Sequence, residues 1–208
     1  LEKEVFDQDP RTLKLITDTA KITRNRFDRA IPGRVYPRRA RFTGQSTGLR
    51  GLASLVSSGE GSATSMFPSE NYPEMQNMTI ATELVDFQKS KLRDGRASAA
   101  VGAFQFLHPE QAAKLAGLPP DAKFTLENQE KMFIATIMNK PGREAIGKYL
   151  QGNSNDIELA IDQLSQEFAS IEYRNGLSYY EKDGINKASI SRDQVRAALI
   201  SAREELTN

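Results

Sequence analysis

Ser57-Ser58-Gly59-Glu60-Gly61 follows an apolar segment, Gly48 to Val56, and the reading of this join decides the fold. Leu49, Leu52, Leu55 and Val56 recur at i, i+3, i+6 and i+7, which gives a helix one apolar face. Gly59 is expected at the C′ position, because glycine tolerates the left-handed backbone that ends helices. Glu60 then sits just past a buried helix end, between two glycines. Burial disfavours the charged form of a carboxyl, and a raised pKa suits a general acid near neutral pH. On these residues alone the favoured reading of Glu60 is a solvated loop charge, since most loop glutamates do no chemistry.

Composition bounds what such an acid can serve. The chain has 208 residues, 38% apolar side chains and a net charge of +1, enough for a core and too balanced for a disordered chain. There is no cysteine, so disulfides and thiolate zinc sites are excluded. The single histidine, His108, rules out a histidine-rich metal site and argues against a Ser-His-Asp triad. No cofactor or metal is expected. No apolar run approaches the ~18 residues of a membrane span, and no signal-peptide pattern is visible.

Before the Glu60 segment, Asp9-Pro10 reads as N-cap and N1 of a first helix that ends near Ala30. Arg24 to Arg41 holds seven arginines, at 24, 26, 29, 34, 38, 39 and 41, against one acid, Asp28. This stripe is either a grip for an anionic surface (nucleic acid, lipid head groups or an acidic wall polymer) or a solvated arm pairing with the acid-rich remainder. No specific nucleic-acid motif surrounds its Phe27, Tyr36 and Phe42. The division expected is an N-terminal helix and basic arm over 1–43 and a catalytic domain with a C-terminal helix over 44–208.

After Glu60 the chain is mainly helical. Ser62 to Asn77 reads as an irregular lobe with room for a short hairpin. Helices are expected from Thr79 to Leu92, Pro109 to Ala116 and Thr125 to Asn139, with a further turn around Ala145 to Leu150. Asn155 with Glu158 reads as a capping box. It opens an amphipathic helix through Ile157, Ile161, Leu164, Phe168 and Ile171, broken at Asn175-Gly176. Ser191 with Gln194 caps a last helix through Val195, Leu199, Ala202 and Leu206. In Ala100-Val101-Gly102-Ala103-Phe104-Gln105-Phe106, the amide of Gln105 lies between two phenylalanines and needs partners, from the backbone or from a polar ligand.

Four of these blocks, taken in order, resemble the lysozyme-superfamily phage endolysins, specifically the lambda-phage type of lytic transglycosylase. Ser58-Gly59-Glu60-Gly61 resembles the family's Ser-Glu-Gly block, and Ala99 to Phe106 its Gly-Ala-Gly-Arg-Tyr-Gln block. Phe124-Thr125-Leu126-Glu127-Asn128-Gln129-Glu130 resembles its Phe-Ser-Pro-x-x-Gln-Asp helix start. Asp156 to Asp162 with Phe168-Ala169-Ser170-Ile171 resembles its penultimate helix. The match spans about Gly48 to Tyr180. An endolysin with an added helical arm is also similar to the lytic enzymes carried under the envelope of cystoviruses, the double-stranded RNA phages.

The resemblance implies a lysozyme-like fold acting on the glycan strands of bacterial peptidoglycan, with no cofactor. Glu60 would be the single acid and base, cutting between N-acetylmuramic acid and N-acetylglucosamine to leave a 1,6-anhydro product. Gln105 and Phe104 would bind sugar near the scissile bond, and Tyr179 or Tyr180 would supply a cleft tyrosine. The enzyme would be virion-associated or in the host cytoplasm, reaching the periplasmic wall, with the Arg24 to Arg41 arm docking on a capsid or another anionic surface. Two departures stand out. Ala103-Phe104 replaces the family's Arg-Tyr, and the lobe after Glu60 offers only Glu70 and Glu74 where the family has aspartates. A hydrolytic muramidase using Glu70, Glu74 or Asp86 as second carboxylate therefore stays open. So does a non-enzymatic virion protein that binds nucleic acid through the arm.

Overall fold

The first helix among the described residues, α1 (Gly48–Glu60), carries the apolar face expected of it: Leu49, Leu52, Leu55 and Val56 are all fully enclosed. Burying a leucine-sized side chain contributes about 1.5–3 kcal/mol, so this face anchors the helix firmly. Its start is held from the far end of the chain. The Gly48 N–H donates to Ser201 Oγ and the Leu49 N–H to Glu205 Oε2, each at 3.0 Å. Two of the four free N–H groups of a helix start are thereby satisfied, by a group whose charge also suits the helix dipole. The computed structural model describes residues 48–67, 70–183 and 186–207. The helix expected over Asp9 to Ala30 and the Arg24 to Arg41 stripe lie outside the described residues.

The described chain is mainly α-helical, with seven α-helices and two small hairpins. Strands β1 (Ser65–Met66) and β2 (Glu70–Asn71) form the first hairpin, with Met66 opposite Glu70. A 3-10 turn, Pro73–Asn77, leads to a π-helical turn, Ile80–Leu84, which runs into α2 (Val85–Arg93). The helix read from Thr79 thus starts with a widened turn, closed by the Leu84 N–H on Thr79 O at 3.0 Å. Next come α3 (Pro109–Leu115), α4 (Leu126–Asn139) and α5 (Glu144–Leu150). Thr125 caps α4 by accepting from the Asn128 N–H at 3.3 Å. Helix α4 is the centre of the molecule, buried at every residue from Met132 to Met138. Phe133 on it stacks on Phe104 with centroids 4.5 Å apart and meets Phe168 at 5.5 Å.

The next stretch departs from its sequence reading. Helix α6 spans only Ile157–Ser165, and its cap is Asp156, which accepts from the Leu159 N–H at 2.9 Å. Asn155 instead accepts from Arg203. Phe168 and Ile171 are buried as expected, but from a turn rather than from a helix. Strands β3 (Glu172–Arg174) and β4 (Leu177–Ser178) follow, joined through Asn175 and Gly176 at φ +54° and +78°. Two consecutive left-handed residues, Asn then Gly, make the turn that matches strand twist. The pair is a hairpin corner and not a helix stop. Helix α7 (Arg192–Thr207) begins at the expected Ser191–Gln194 cap and packs along α1. Arg192 and Arg174 both bond Asp162, while Arg192 and Arg196 bond Glu158, so guanidinium groups clamp α6, β3 and α7 together. No helix among the described residues is long and apolar enough to cross a membrane.

Candidate active site

Glu60 is the last residue of α1, not a residue beyond it, because the helix continues through Gly59. Gly59 is not in the left-handed conformation expected of a C′ glycine. It is a point of close approach. A Cβ there would lie 2.6 Å from Ser170 Cβ, 2.7 Å from Ser170 Oγ and 2.8 Å from Ile190 Cδ1. The missing side chain lets the last turn of α1 press against the segment after α6. That approach brings the Glu60 carboxyl to the Ser170 backbone, whose N–H donates to Oε1 at 2.9 Å.

The electrostatics follow from this packing. Burial raises the Glu60 pKa above the ordinary carboxyl value. The backbone and side chain of Ser170 pull the other way without cancelling it, and the nearby Glu167 carboxylate adds to the rise. With Oε1 occupied as an acceptor, the proton of the neutral acid belongs on Oε2. The side chain as a whole is half-buried, so the carboxyl is desolvated but not sealed.

The turn at 166–171 organises one side of the site. The Glu167 carboxylate is held by Lys140 Nζ at 2.6 Å and flanked by Arg143 Nε at 3.7 Å. Gln166 O accepts from the Tyr180 hydroxyl at 2.7 Å, and Ala169 O from Ser178 Oγ, also at 2.7 Å. Tyr180 is thereby tied to the turn that holds Glu60. Tyr179 and Tyr180 are both partly exposed and meet edge to face, and Tyr179 does the same with Tyr173. Desolvation raises the Tyr180 pKa, so its hydroxyl stays protonated as a donor.

The loop Gly102 to Gln105 lies against the backbone that follows Glu60. Val101 and Phe106 pair across it, with Gly102 at φ +80° and Gln105 at φ +48°. The Gln105 amide folds back, donating from Nε2 to Gly102 O at 2.8 Å and Ser65 Oγ at 3.2 Å. A methyl group on Gly61 would lie 2.3 Å from Ser65 Oγ and 3.1 Å from Gln105 Nε2, so the Gln105 amide sits against the backbone next to Glu60. Half-buried Gln105 uses its N–H donors internally and keeps its carbonyl oxygen without a protein partner among these bonds.

Phe104 does not join this surface. Only 3% exposed and stacked on Phe133, it is part of the core beneath the loop and presents no ring face to a ligand. Of the acids weighed as second carboxylates, Glu70 is bound by Arg96 and the Tyr72 hydroxyl, which hold its pKa down. Exposed Asp86 pairs loosely with Lys89 at 3.8 Å. A cavity of about 210 Å³ lined by Gln88, Leu92, Ala97, Ser98, Ala99, Leu107 and His108 contains none of the candidate residues.

Sequence reasoning passed over three residues that build the site. Fully buried Gln129 accepts from the Ala103 N–H at 2.8 Å and donates to Ala63 O and Phe124 O, pinning the Gln105 loop and the Glu60 segment to α4. Ser170 and Glu167 reach Glu60 across more than a hundred residues of chain, and no local pattern announces such a contact. In the sequence Gln129 stands only as the glutamine of a family-like helix start, with no role at the site attached to it. No protein-family model, no curated protein and no solved structure matches this chain.

Proposed function

We propose that the chain is a lysozyme-like lytic transglycosylase that cuts the glycan strands of bacterial peptidoglycan, with Glu60 as its acid and base. The observation that carries this is a desolvated carboxyl with one oxygen fixed by a backbone N–H and its pKa raised, on a segment whose next residue, Gly61, lies against the polar Gln105 loop. Neutral Glu60 donates its Oε2 proton to the glycosidic oxygen as that bond to muramic C1 breaks. The carboxylate then takes the proton of the muramic C6 hydroxyl while the C6 oxygen bonds C1. The products are a free saccharide hydroxyl and a 1,6-anhydro ring, with no water consumed and Glu60 restored as the acid.

Such chemistry needs one carboxyl group, because an internal hydroxyl replaces the water or nucleophile that a paired second carboxylate serves in hydrolases. The surroundings of Glu60 suit it: the nearest further carboxylate, Glu167, is paired with Lys140 and only 15% exposed. The Gln105 carbonyl oxygen and the tyrosines at 179 and 180 are available to hydrogen-bond and stack on sugar. Phe104 supports the Gln105 loop from below.

The test is mass spectrometry of purified peptidoglycan digested by the full chain beside Glu60→Gln. Anhydromuropeptides from the native chain and none from the variant are the expected result. Reducing muramic ends would make the enzyme a muramidase. Intact glycan from the native chain would overturn the glycosidic reading.

A further inference from the structure

The hydroxyl of Ser170 stands apart from the other polar groups around Glu60. Ser170 is 5% exposed, and its Oγ is buried without a hydrogen-bond partner. A buried hydroxyl left unpaired costs about 1–3 kcal/mol, so its position calls for an explanation. Both backbone groups of the residue are in use. Its N–H holds Glu60 Oε1, and its carbonyl accepts from the Ser189 and Ile190 N–H groups at 2.8 and 3.0 Å. The side chain is fixed by contact with the Cα of Gly59, one residue from Glu60.

We propose that Ser170 is a positioning residue for Glu60, its hydroxyl held in reserve to donate to the carboxylate that Glu60 becomes once its proton has gone to the leaving group. The inference rests on the glycosidic reading above for its catalytic meaning, and on the hydrogen-bond geometry for its physical content. A donor that completes its hydrogen bond only with the charged acid favours the charged state selectively. That is the condition for accelerating a step rather than merely binding its reactants. The hydroxyl is near enough to Glu60 to pull its pKa down as a side-chain donor, while its geometry falls short of a formed hydrogen bond. The charged or titratable groups that bear on Glu60 here are Glu167, with its Lys140 and Arg143 partners, and through the same turn the Tyr180 hydroxyl.

Ser170→Ala removes one oxygen and keeps the Cβ that packs on Gly59, and Ser170→Cys keeps a weaker donor in the same place. Two readouts separate the claims. The first is carbon-13 NMR titration of the Glu60 carboxyl in the full chain, its signal assigned by loss in Glu60→Gln; it needs no substrate. The second is the pH profile of kcat on purified peptidoglycan. Losing the donor raises the Glu60 titration midpoint in Ser170→Ala, with Ser170→Cys between it and the native chain. The alkaline limb of kcat moves up with it. At its plateau kcat falls about tenfold, the worth of one hydrogen bond to a charged group. Glu167→Gln, which removes a like charge, shifts midpoint and limb the opposite way. An unchanged midpoint in Ser170→Ala overturns the proposal. A midpoint that moves while the kcat limb stays overturns its catalytic part. A moving midpoint in a chain that cuts no glycan upholds the contact and sinks the glycosidic reading instead.

Discussion

At the scale of single residues, the raised pKa of Glu60 has a consequence for stability that is independent of any substrate. Burial makes the folded protein favour the neutral acid, while an unfolded glutamate ionises near about pH 4.3. Below that pH both states carry the proton and nothing is lost. As pH rises through the unfolded value and on to the folded one, the unfolded chain releases its proton more readily, and stability falls. Glu60→Gln removes the ionisable group and keeps an oxygen to accept the Ser170 N–H. The variant is therefore expected to melt higher than the native chain at pH 7, with the difference closing toward pH 4. Paired thermal melts across that range check it. A native chain as stable as the variant at pH 7 would mean that Glu60 is solvated after all.

At the scale of elements, the join between α1 and the 166–171 turn depends on the absence of a side chain at Gly59. Gly59→Ala has to displace Ser170 Cβ and Ile190 Cδ1, both nearer than 3 Å to the new methyl. Overpacking of this kind costs about 1–3 kcal/mol, against a gain of up to about 1 kcal/mol from helix propensity. A net loss in urea midpoint is expected, together with a larger loss of activity as Glu60 shifts off its backbone donor. If the variant proves as stable and active as the native chain, the contact is looser than described. The same join shows why part of the fold was legible and part was not. The faces of α1 and α7, the start of α4 near Thr125 and the Ser191 cap are local patterns, and they stand where the sequence puts them. A glycine closing an apolar helix has the same local signature whether it turns the chain or receives a neighbour, and the neighbour is 111 residues away in Ser170. Phe168 and Ile171 kept a helical spacing because both fill the core, although the backbone between them is a turn. Strands of two or three residues give no alternation to read, so the β3–β4 hairpin was visible only in Asn175-Gly176.

At the scale of the whole molecule, the two ends of the described chain hold each other. Helix α7 caps the start of α1 through Ser201 and Glu205, and the guanidinium clamp fastens α7 to α6 and β3. The catalytic candidate at the other end of α1 is thus braced by the C-terminal helix. Asp162 is the shared acceptor of that clamp, with 18% of its side chain exposed and both Arg174 and Arg192 at 2.7 Å. Burial alone would raise its pKa, but the hydrogen bonds and charges of the two arginines outweigh it and hold the carboxyl below its ordinary value. A depressed pKa adds stability that is fully present above the unfolded value, about 3.9, and is lost as pH falls through the folded one. Asp162→Asn removes this and leaves Arg192, itself only 14% exposed, with one carboxylate partner, Glu158. The expected cost at pH 7 is about 2 kcal/mol, the worth of a charge-assisted hydrogen bond. The gap between native and variant urea midpoints should narrow below about pH 4, where the unfolded chain takes up the Asp162 proton before the folded one does. A gap that is absent at pH 7, or that stays constant down to pH 3, would show that the clamp does not hold α7 and that its packing on α1 does so alone.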